Sequence, residues 1–520
     1  MSPGPLPQPV AVRAAAQLPL HAWFDRWVRV DGTRTALAWA GRRWSYAELD
    51  DRAARLAALL QGRGVREGDR IAVLSENHPA FVWLALAAMR LGAVVATLNP
   101  RLAAAELAHA LELVQPVLTM VSARHRASLP AAVPDAALLC IDDALERVLD
   151  DTPRRAEPPP PADPERPLFI LYTSGTTGLP KGAVISERAL AARLMVYVLD
   201  YGVDGGDCFV AWSPLCHMAS IELAVGLLLL GGKVVIVDGP DLPLLCDHLE
   251  RESMANLIVF PGMVDEVLAY LRQRRPRVKR LKKFGALADL FAPAQLAELT
   301  ALLGVPYTNT FGSTETGMPP ASAGRLAAGE MPTDLAKLPS ALCELRLVDA
   351  DDRDVPDGTP GELLVRGPTL FSGYWNAPEA TAEVFRGGWY HTGDVFVRRA
   401  DGRLEYVDRR KYLIKSGGEN IYPAEIERLV ARQPGVIEAV VVRRPDARWG
   451  EVPVLVVALA AGAAVDPVSL LRCCDGVLAP FKRPKRVHVI DAAALPRNGT
   501  GKIVRGDLER WVAEREAAAS

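Results

Sequence analysis

Short unbroken apolar runs alternate with helical patterns along most of this chain, and that alternation constrains its fold more than any other feature. RIAVLS (70–75), AVVATLN (93–99), LFILY (168–172), KVVIVDG (233–239) and NLIVF (256–260) each have the length and composition of a buried strand. YAELDDRAARLAALLQGRG, from residue 46, repeats its apolar positions at helical spacing. Strands alternating with helices predict α/β units. AEPPPPADPERP (156–167) interrupts them. Proline lacks the amide donor that a helix interior or central strand needs, so this stretch reads as a surface linker. The opening 1–15, rich in Pro and Ala, reads as loose.

Between about 341 and 411 the pattern changes to short strands and turns, in CELRLVD, PGELLVRG and WYHTGDVFVRRADGRLEYVDRRK. This predicts a smaller β-rich subdomain. Beyond it a helix (AEIERLVARQ), strands (EAVVVRR, VPVLVVALA) and a basic tail predict a small α+β C-terminal domain. The expected division is 1–409, with two α/β subdomains plus the β-rich one, and 410–520, the C-terminal domain. No internal repeat is visible.

Composition removes several functions. A net charge of −2 over 520 residues gives no footprint for nucleic acid. The basic stretch with Lys482, Arg483, Lys485, Arg486, Arg497, Lys502 and Arg505 reads as a solvated face or as a surface for an anionic small molecule. Seven cysteines show neither metal-ligand nor disulfide spacing, and the adjacent Cys473 and Cys474 read as helix packing. The longest apolar run, 219–231, is shorter than the roughly 20 residues of a membrane span. The N-terminus lacks a basic-then-apolar signal layout. No membrane span and a cytoplasmic location are therefore expected.

The segment Thr173–Gly182 reads TSGTTGLPKG and lies between the strand-like runs LFILY and AVIS. Its four hydroxyl residues and three glycines let a backbone curl around phosphate oxygens, while Lys181 adds charge. A plain polar hairpin loop is the ordinary alternative. It is not a Walker A loop, because glycine rather than Ser or Thr follows the lysine.

With TNTFGSTETG (308–317), GGWYHTGDV (387–395), DRRKYLIKSGGENIYPAEIE (408–427) and PRNGTGKIVR (496–505), this loop resembles the motif series of the adenylate-forming superfamily. That family includes acyl-CoA synthetases, firefly-luciferase-like enzymes and peptide-synthetase adenylation domains. The motifs stand in the family's order and at its usual separations. The first 160 residues fit its layout without a sharp motif.

The resemblance implies roles for particular residues. Thr173, Ser174, Gly175, Thr176, Thr177, Gly178 and Lys181 would hold the β- and γ-phosphates of ATP. Gly285, Ala286 and Leu287, in GALADL, would pass close to adenine, although the family usually reads Gly-Gly-Ala there. Asn309, Thr310, Phe311 and Gly312 would line the nucleotide site, with Phe311 stacking on adenine where tyrosine is usual. Thr314 would bond the α-phosphate and Glu315 would help hold Mg²⁺, a hard cation suited to carboxylate oxygen. Asp394 would accept from the ribose hydroxyls, since one carboxylate takes two donors, and Arg409 would contact ribose or phosphate.

Lys411 falls at the family's domain hinge. Gly417 and Gly418 would approach the pantetheine arm of CoA, with Trp449 beside the same tunnel. Lys502 would bridge carboxylate and α-phosphate. His217 would gate an acyl pocket lined by Met218–Leu230. Each has an ordinary reading too: a strand-to-loop turn for Thr314 and Glu315, surface charges for Asp394, Arg409, Lys411 and Lys502, a packing tryptophan for Trp449, a core histidine for His217.

The implied activity is an ATP-dependent acid–thiol ligase that forms an acyl-adenylate and transfers the acyl group to CoA, as a monomer or homodimer. Candidate pocket residues Met218, Leu223, Met263, Leu287 and Met318 are apolar, favouring a fatty, alicyclic or aromatic acid. Fatty acid is the first expectation, on family frequency. The alternatives are a carrier-protein acceptor, amino-acid adenylation, for which Glu222 is the nearest carboxylate to the Trp212–Ser220 stretch, and a non-catalytic nucleotide-binding regulator.

Overall fold

The computed structural model of the chain describes residues 18–154, 163–174, 180–260, 263–285, 287–416, 419–460, 462–463, 465–475, 477–497 and 502–518. It forms two compact units. The first comprises Met1–Thr333, Leu338–Glu344 and Arg366–Arg386; the second comprises Asp334–Lys337, Leu345–Val365 and Gly387–Ser520.

Two six-stranded sheets organise the first unit. One runs in the order Leu138–Ile141, Leu118–Ser122, Arg70–Leu74, Val94–Thr97, Pro167–Ser174, Pro180–Ser186, parallel until its last antiparallel pair. The other runs Arg280–Leu281, Ser253–Met254, Cys208–Ala211, Lys233–Ile236, Thr35–Trp39, Arg42–Ser45, again parallel except for the final hairpin. Inner strands such as Val94–Thr97 and Leu118–Ser122 are buried at every position, which is why their sequences are continuous apolar runs instead of alternating ones. The helix Tyr46–Gly62 begins at a capping box: Ser45 and Glu48 satisfy each other's backbone amides.

The apolar run near 219–231 is the helix Met218–Leu229, buried from Ser220 to Leu229. A helix that is apolar all round belongs in a core. Among the described residues, no helix is long and apolar enough to cross a membrane. NLIVF does not form the expected strand. The ladder is made by Ser253–Met254, and Leu257 keeps a single parallel bridge to Phe284. Pairing stops there because the neighbouring chain turns away at Gly285, whose φ is 100°.

In the second unit the strands Glu344–Val348, Pro360–Arg366, Tyr390–Arg398 and Leu404–Arg409 form a four-stranded sheet. A five-stranded sheet follows, built on the long antiparallel pair Val436–Asp446 and Gly450–Leu459. Alternate residues of that pair face two cores: Val441, Leu455 and Val457 pack with Ile426 and Val430, while Val440, Val442, Val454 and Val456 pack with Leu508 and Val512. Arg428 of the helix Pro423–Val430 donates to the carbonyls of Tyr406 and Val407. The boundary expected after 409 thus lies inside this unit.

Candidate active site

Strands Pro167–Ser174 and Pro180–Ser186 form a hairpin that sets Thr173 opposite Lys181 and Ser174 opposite Pro180. Gly175, Thr176, Thr177 and Gly178, between them, lie outside the described residues. Lys181 Nζ sits 5.1 Å from the centroid of the Tyr374 ring, within cation–π range. The Tyr374 hydroxyl donates to Glu315 Oε1 at 3.0 Å. One tyrosine therefore touches both the lysine and the carboxylate singled out from sequence.

Glu315 and Thr314 occupy the tip of a second hairpin, Phe311–Ser313 against Gly317–Ala321. Ser313 N donates to Thr316 Oγ1 at 3.0 Å and closes the turn. Gly312 is required there, because a Cβ would lie 2.0 Å from the Gly317 carbonyl oxygen. The ordinary reading as a strand-to-loop turn therefore holds, with Thr314 and Glu315 side by side at its tip. Both side chains are half-buried, and a carboxylate beside a hydroxyl is a donor set that fits Mg²⁺.

Phe311 is buried at 8 % exposure and Thr310 and Asn309 more deeply. Asn309 Oδ1 accepts from the Ala288 amide at 3.3 Å, tying the 308–317 segment to GALADL. Gly285 lies against the Tyr307 ring, where a Cβ would come within 2.3 Å. Leu287 is half-buried, and Ala286 lies outside the described residues. The fully buried Lys283 donates to Asn256 and to the Gly285 carbonyl. Burial, with Arg325 adding repulsion, pushes this ammonium down to about 7.

His217 is half-buried and precedes the helix Met218–Leu229. Its loop hangs on two buried side chains. Asn77 Nδ2 lies within hydrogen-bond distance of the carbonyls of Ala211, Trp212, Ser213 and Val237, and Asn77 Oδ1 accepts from Leu215 N at 2.7 Å. Thr97 Oγ1 donates to the Cys216 carbonyl at 2.9 Å. Of the expected pocket run, only Met218, Ala219 and Leu230 keep partial exposure, and Leu223 is fully buried.

Cys208, His248 and Glu252 bring ligand atoms within 4.8 Å of one another. Lys233 already supplies a cation to Glu252, and His248 Nδ1 lies 2.8 Å from the same oxygen. Against the effect of burial, these two partners hold the Glu252 carboxyl down to about 2. The cluster is an ion-paired network.

In the second unit Asp394 and Arg409 face each other on neighbouring strands, with Arg409 Nε 2.9 Å from Asp394 Oδ1. Asp394 is buried, and the guanidinium offsets the cost of burying a carboxylate there and holds it in place. Lys411 is exposed, in a turn whose carbonyl accepts from Arg443. Gly417 and Gly418 lie outside the described residues. Trp449 is 43 % exposed, with Arg448 over its ring at 4.7 Å, so it is not the packing tryptophan of the ordinary reading. Lys502 is exposed. Three residues on, Arg505 pairs with Glu427 and lies 4.5 Å over the ring of Tyr412, anchoring the base of the lysine segment beside Lys411.

Sequence reasoning missed Arg193, Tyr374, Asn77 and Lys283. Arg193 carried a signal: it is one charge in the apolar helix ALAARLMVYVL, as Glu222 is in SIELAVGLLLL. Lone charges in buried helices are rarely left without an opposite partner. Here they pair with each other.

Residues 24–375 match the AMP-binding enzyme family and residues 425–502 match the AMP-binding enzyme C-terminal domain. The chain is 35 % identical over 492 residues to a feruloyl-CoA synthase of Amycolatopsis, covering 94 % of this chain and 98 % of that protein. It is 34 % identical over 510 residues to an indoleacetate–CoA ligase of Aromatoleum aromaticum, covering 95 % and 98 %. Among solved structures it resembles the o-succinylbenzoate CoA synthetase of Bacillus subtilis in complex with its acyl-adenylate intermediate, with a TM-score of 0.83, 26 % identity, and 95 % and 98 % of the two chains covered.

Proposed function

Because the chain belongs to the AMP-binding enzyme family, we propose that it activates an aromatic carboxylic acid with MgATP and hands the acyl group to coenzyme A. In the first half-reaction a carboxylate oxygen attacks the α-phosphorus of ATP and displaces pyrophosphate, which gives the acyl-adenylate. In the second, the CoA thiolate attacks the acyl carbon and AMP leaves. No base is needed for the acid, since carboxylates are ionised at neutral pH. The protein's work is positioning and neutralising charge.

In this reading the Thr173–Lys181 hairpin mouth holds the outer phosphates, Thr314 bonds the α-phosphate, and Asp394 with Arg409 takes the ribose. Glu315 would hold Mg²⁺, which when bound offsets phosphate charge. Lys502 supplies the cation for adenylation, Lys411 is the pivot between half-reactions, and Gly417, Gly418 and Trp449 receive the pantetheine arm. The enzyme works in the cytoplasm.

The acid's class rests on one observation above all. Glu222, the carboxylate nearest the acyl stretch in sequence, is consumed by Arg193 in a buried pair. It is not available to an α-ammonium, which supports an acid without an amino group. The feruloyl and indoleacetate relatives support an aromatic one, and the fatty acid expected on family frequency gains no support from them. The test is CoA-dependent AMP release across hydroxycinnamic and arylacetic acids, straight-chain fatty acids and amino acids. Highest kcat/KM for an aromatic acid is expected. Preference for a fatty or amino acid, or AMP release indifferent to CoA, would overturn the assignment.

A further inference from the structure

The geometry points to Arg193 as a positioning residue for adenylation, fixing the backbone beneath Thr314 and Glu315 with Glu222 as its counter-ion. The inference rests on the reading that these two side chains serve the α-phosphate and Mg²⁺.

All three guanidinium nitrogens are engaged. Nε donates to the Thr369 carbonyl at 2.9 Å, Nη1 to Glu222, and Nη2 to the carbonyls of Thr314 at 3.0 Å and Glu315 at 3.1 Å. Arg193 is 2 % exposed and Glu222 is 6 % exposed. The aliphatic stem also supports the hairpin. Gly317, at φ 78°, presses so close that a Cβ would lie 2.8 Å from Arg193 Cγ.

The Glu315 carbonyl additionally accepts from Phe371 N at 2.8 Å. The hairpin tip is thus tied to the 369–371 segment by this one main-chain bond and, through the guanidinium, by the bonds to Thr369, Thr314 and Glu315. Helix Glu187–Tyr201 and helix Met218–Leu229 supply the two halves of the pair. A buried ion pair adds little net stability and costs desolvation. What this one provides is direction: a planar fork reaches three carbonyls and a carboxylate at once, which an ammonium cannot. A turn freed of those bonds would let the Thr314 hydroxyl and Glu315 carboxylate drift, and small displacements near reacting atoms are costly.

Two substitutions separate this role from plain charge compensation. Arg193→Lys keeps the positive charge opposite Glu222 but loses the fork. Glu222→Gln loses the negative charge but leaves the fork on the carbonyls. The measurements are AMP release, the KM for the acid, the calorimetric affinity for MgATP, and thermal unfolding. The expected result is an adenylation kcat for Arg193→Lys lower by about tenfold or more, with weakened MgATP binding and an unchanged KM for the acid. Glu222→Gln should stay within about threefold of wild type, although it unfolds earlier.

If Arg193→Lys does not fold, the doubly neutral Arg193→Gln with Glu222→Gln carries the same expectation. A fully active Arg193→Lys, or a Glu222→Gln as slow as it, would overturn the positioning role. A wild type that releases AMP with no acid would instead sink the ligase assignment.

Discussion

The hydroxyl of Tyr374 donates to a carboxylate oxygen of Glu315 at 3.0 Å, and its ring carries the Lys181 ammonium at 5.1 Å. Tyr374→Phe keeps the ring under Lys181 and removes only the bond that aims the carboxylate. Hydrogen bonds to charged groups contribute roughly 1.5–3 kcal/mol. The Mg²⁺ concentration for half-maximal AMP release should therefore rise about tenfold, with little change at saturation, whereas Glu315→Gln should lose rate at every Mg²⁺ level. A magnesium titration of both variants decides it. Identical curves for Tyr374→Phe and wild type would leave the tyrosine with packing alone.

Lys502, in the proposed mechanism, should divide the two half-reactions. Removing a cation from a transition state crowded with negative charge costs roughly 10²–10³ in rate. Lys502→Ala should fail with free acid and ATP, yet convert supplied acyl-adenylate and CoA at nearly wild-type rate. Acetylation of the same side chain removes its charge and should mimic the variant. Single-turnover measurements of each half are the check. A variant that adenylates normally would make Lys502 an ordinary surface lysine.

Trp449 gives the opposite pattern. Trp449 is 43 % exposed, so Trp449→Ala should shift stability by no more than about 0.5 kcal/mol. The KM for CoA should rise severalfold, while pyrophosphate release from ATP and acid stays unchanged. Equal effects on both halves would remove it from the thiol tunnel.

Lys283 predicts a pH dependence of stability. An unfolded lysine is protonated below about 10.4, but burial pushes the folded one down to about 7. Between those values the unfolded chain binds more protons, so stability from this group rises with pH, by at most about 1.4 kcal/mol per unit. Below the folded value both states are charged and the contribution is flat. Lys283→Met should abolish the slope. Denaturant unfolding of both proteins at about pH 7 and about pH 9 should show wild type gaining on the variant, and parallel behaviour would mean that the buried amine is charged throughout.

What was legible in the sequence follows from range. RIAVLS, AVVATLN and LFILY declared their strands because both faces are covered, and the Thr173–Gly182 loop declared its hairpin because glycine and proline bracket it. NLIVF misled because composition says nothing of whether a neighbour continues alongside. Arg193 meets Thr314 across 121 residues, and Tyr374 meets Glu315 across 59. No local pattern encodes either meeting. The lone charges at 193 and 222 were the only mark left in the sequence, and they were readable as a pair only once both helices were known to be buried.

The loop before His217 hangs from Asn77 and Thr97, residues of a stretch without any sharp motif. A fragment beginning at the proline-rich segment would keep all five motifs and still lose the amide and hydroxyl that hold that loop. Strand Val94–Thr97 is also the parallel neighbour of Pro167–Ser174, so the same cut would strip the Pro167–Ser186 hairpin of its sheet. The smallest active piece of this protein is therefore set by who carries the scaffold, and an inventory of signature residues would draw its border in the wrong place.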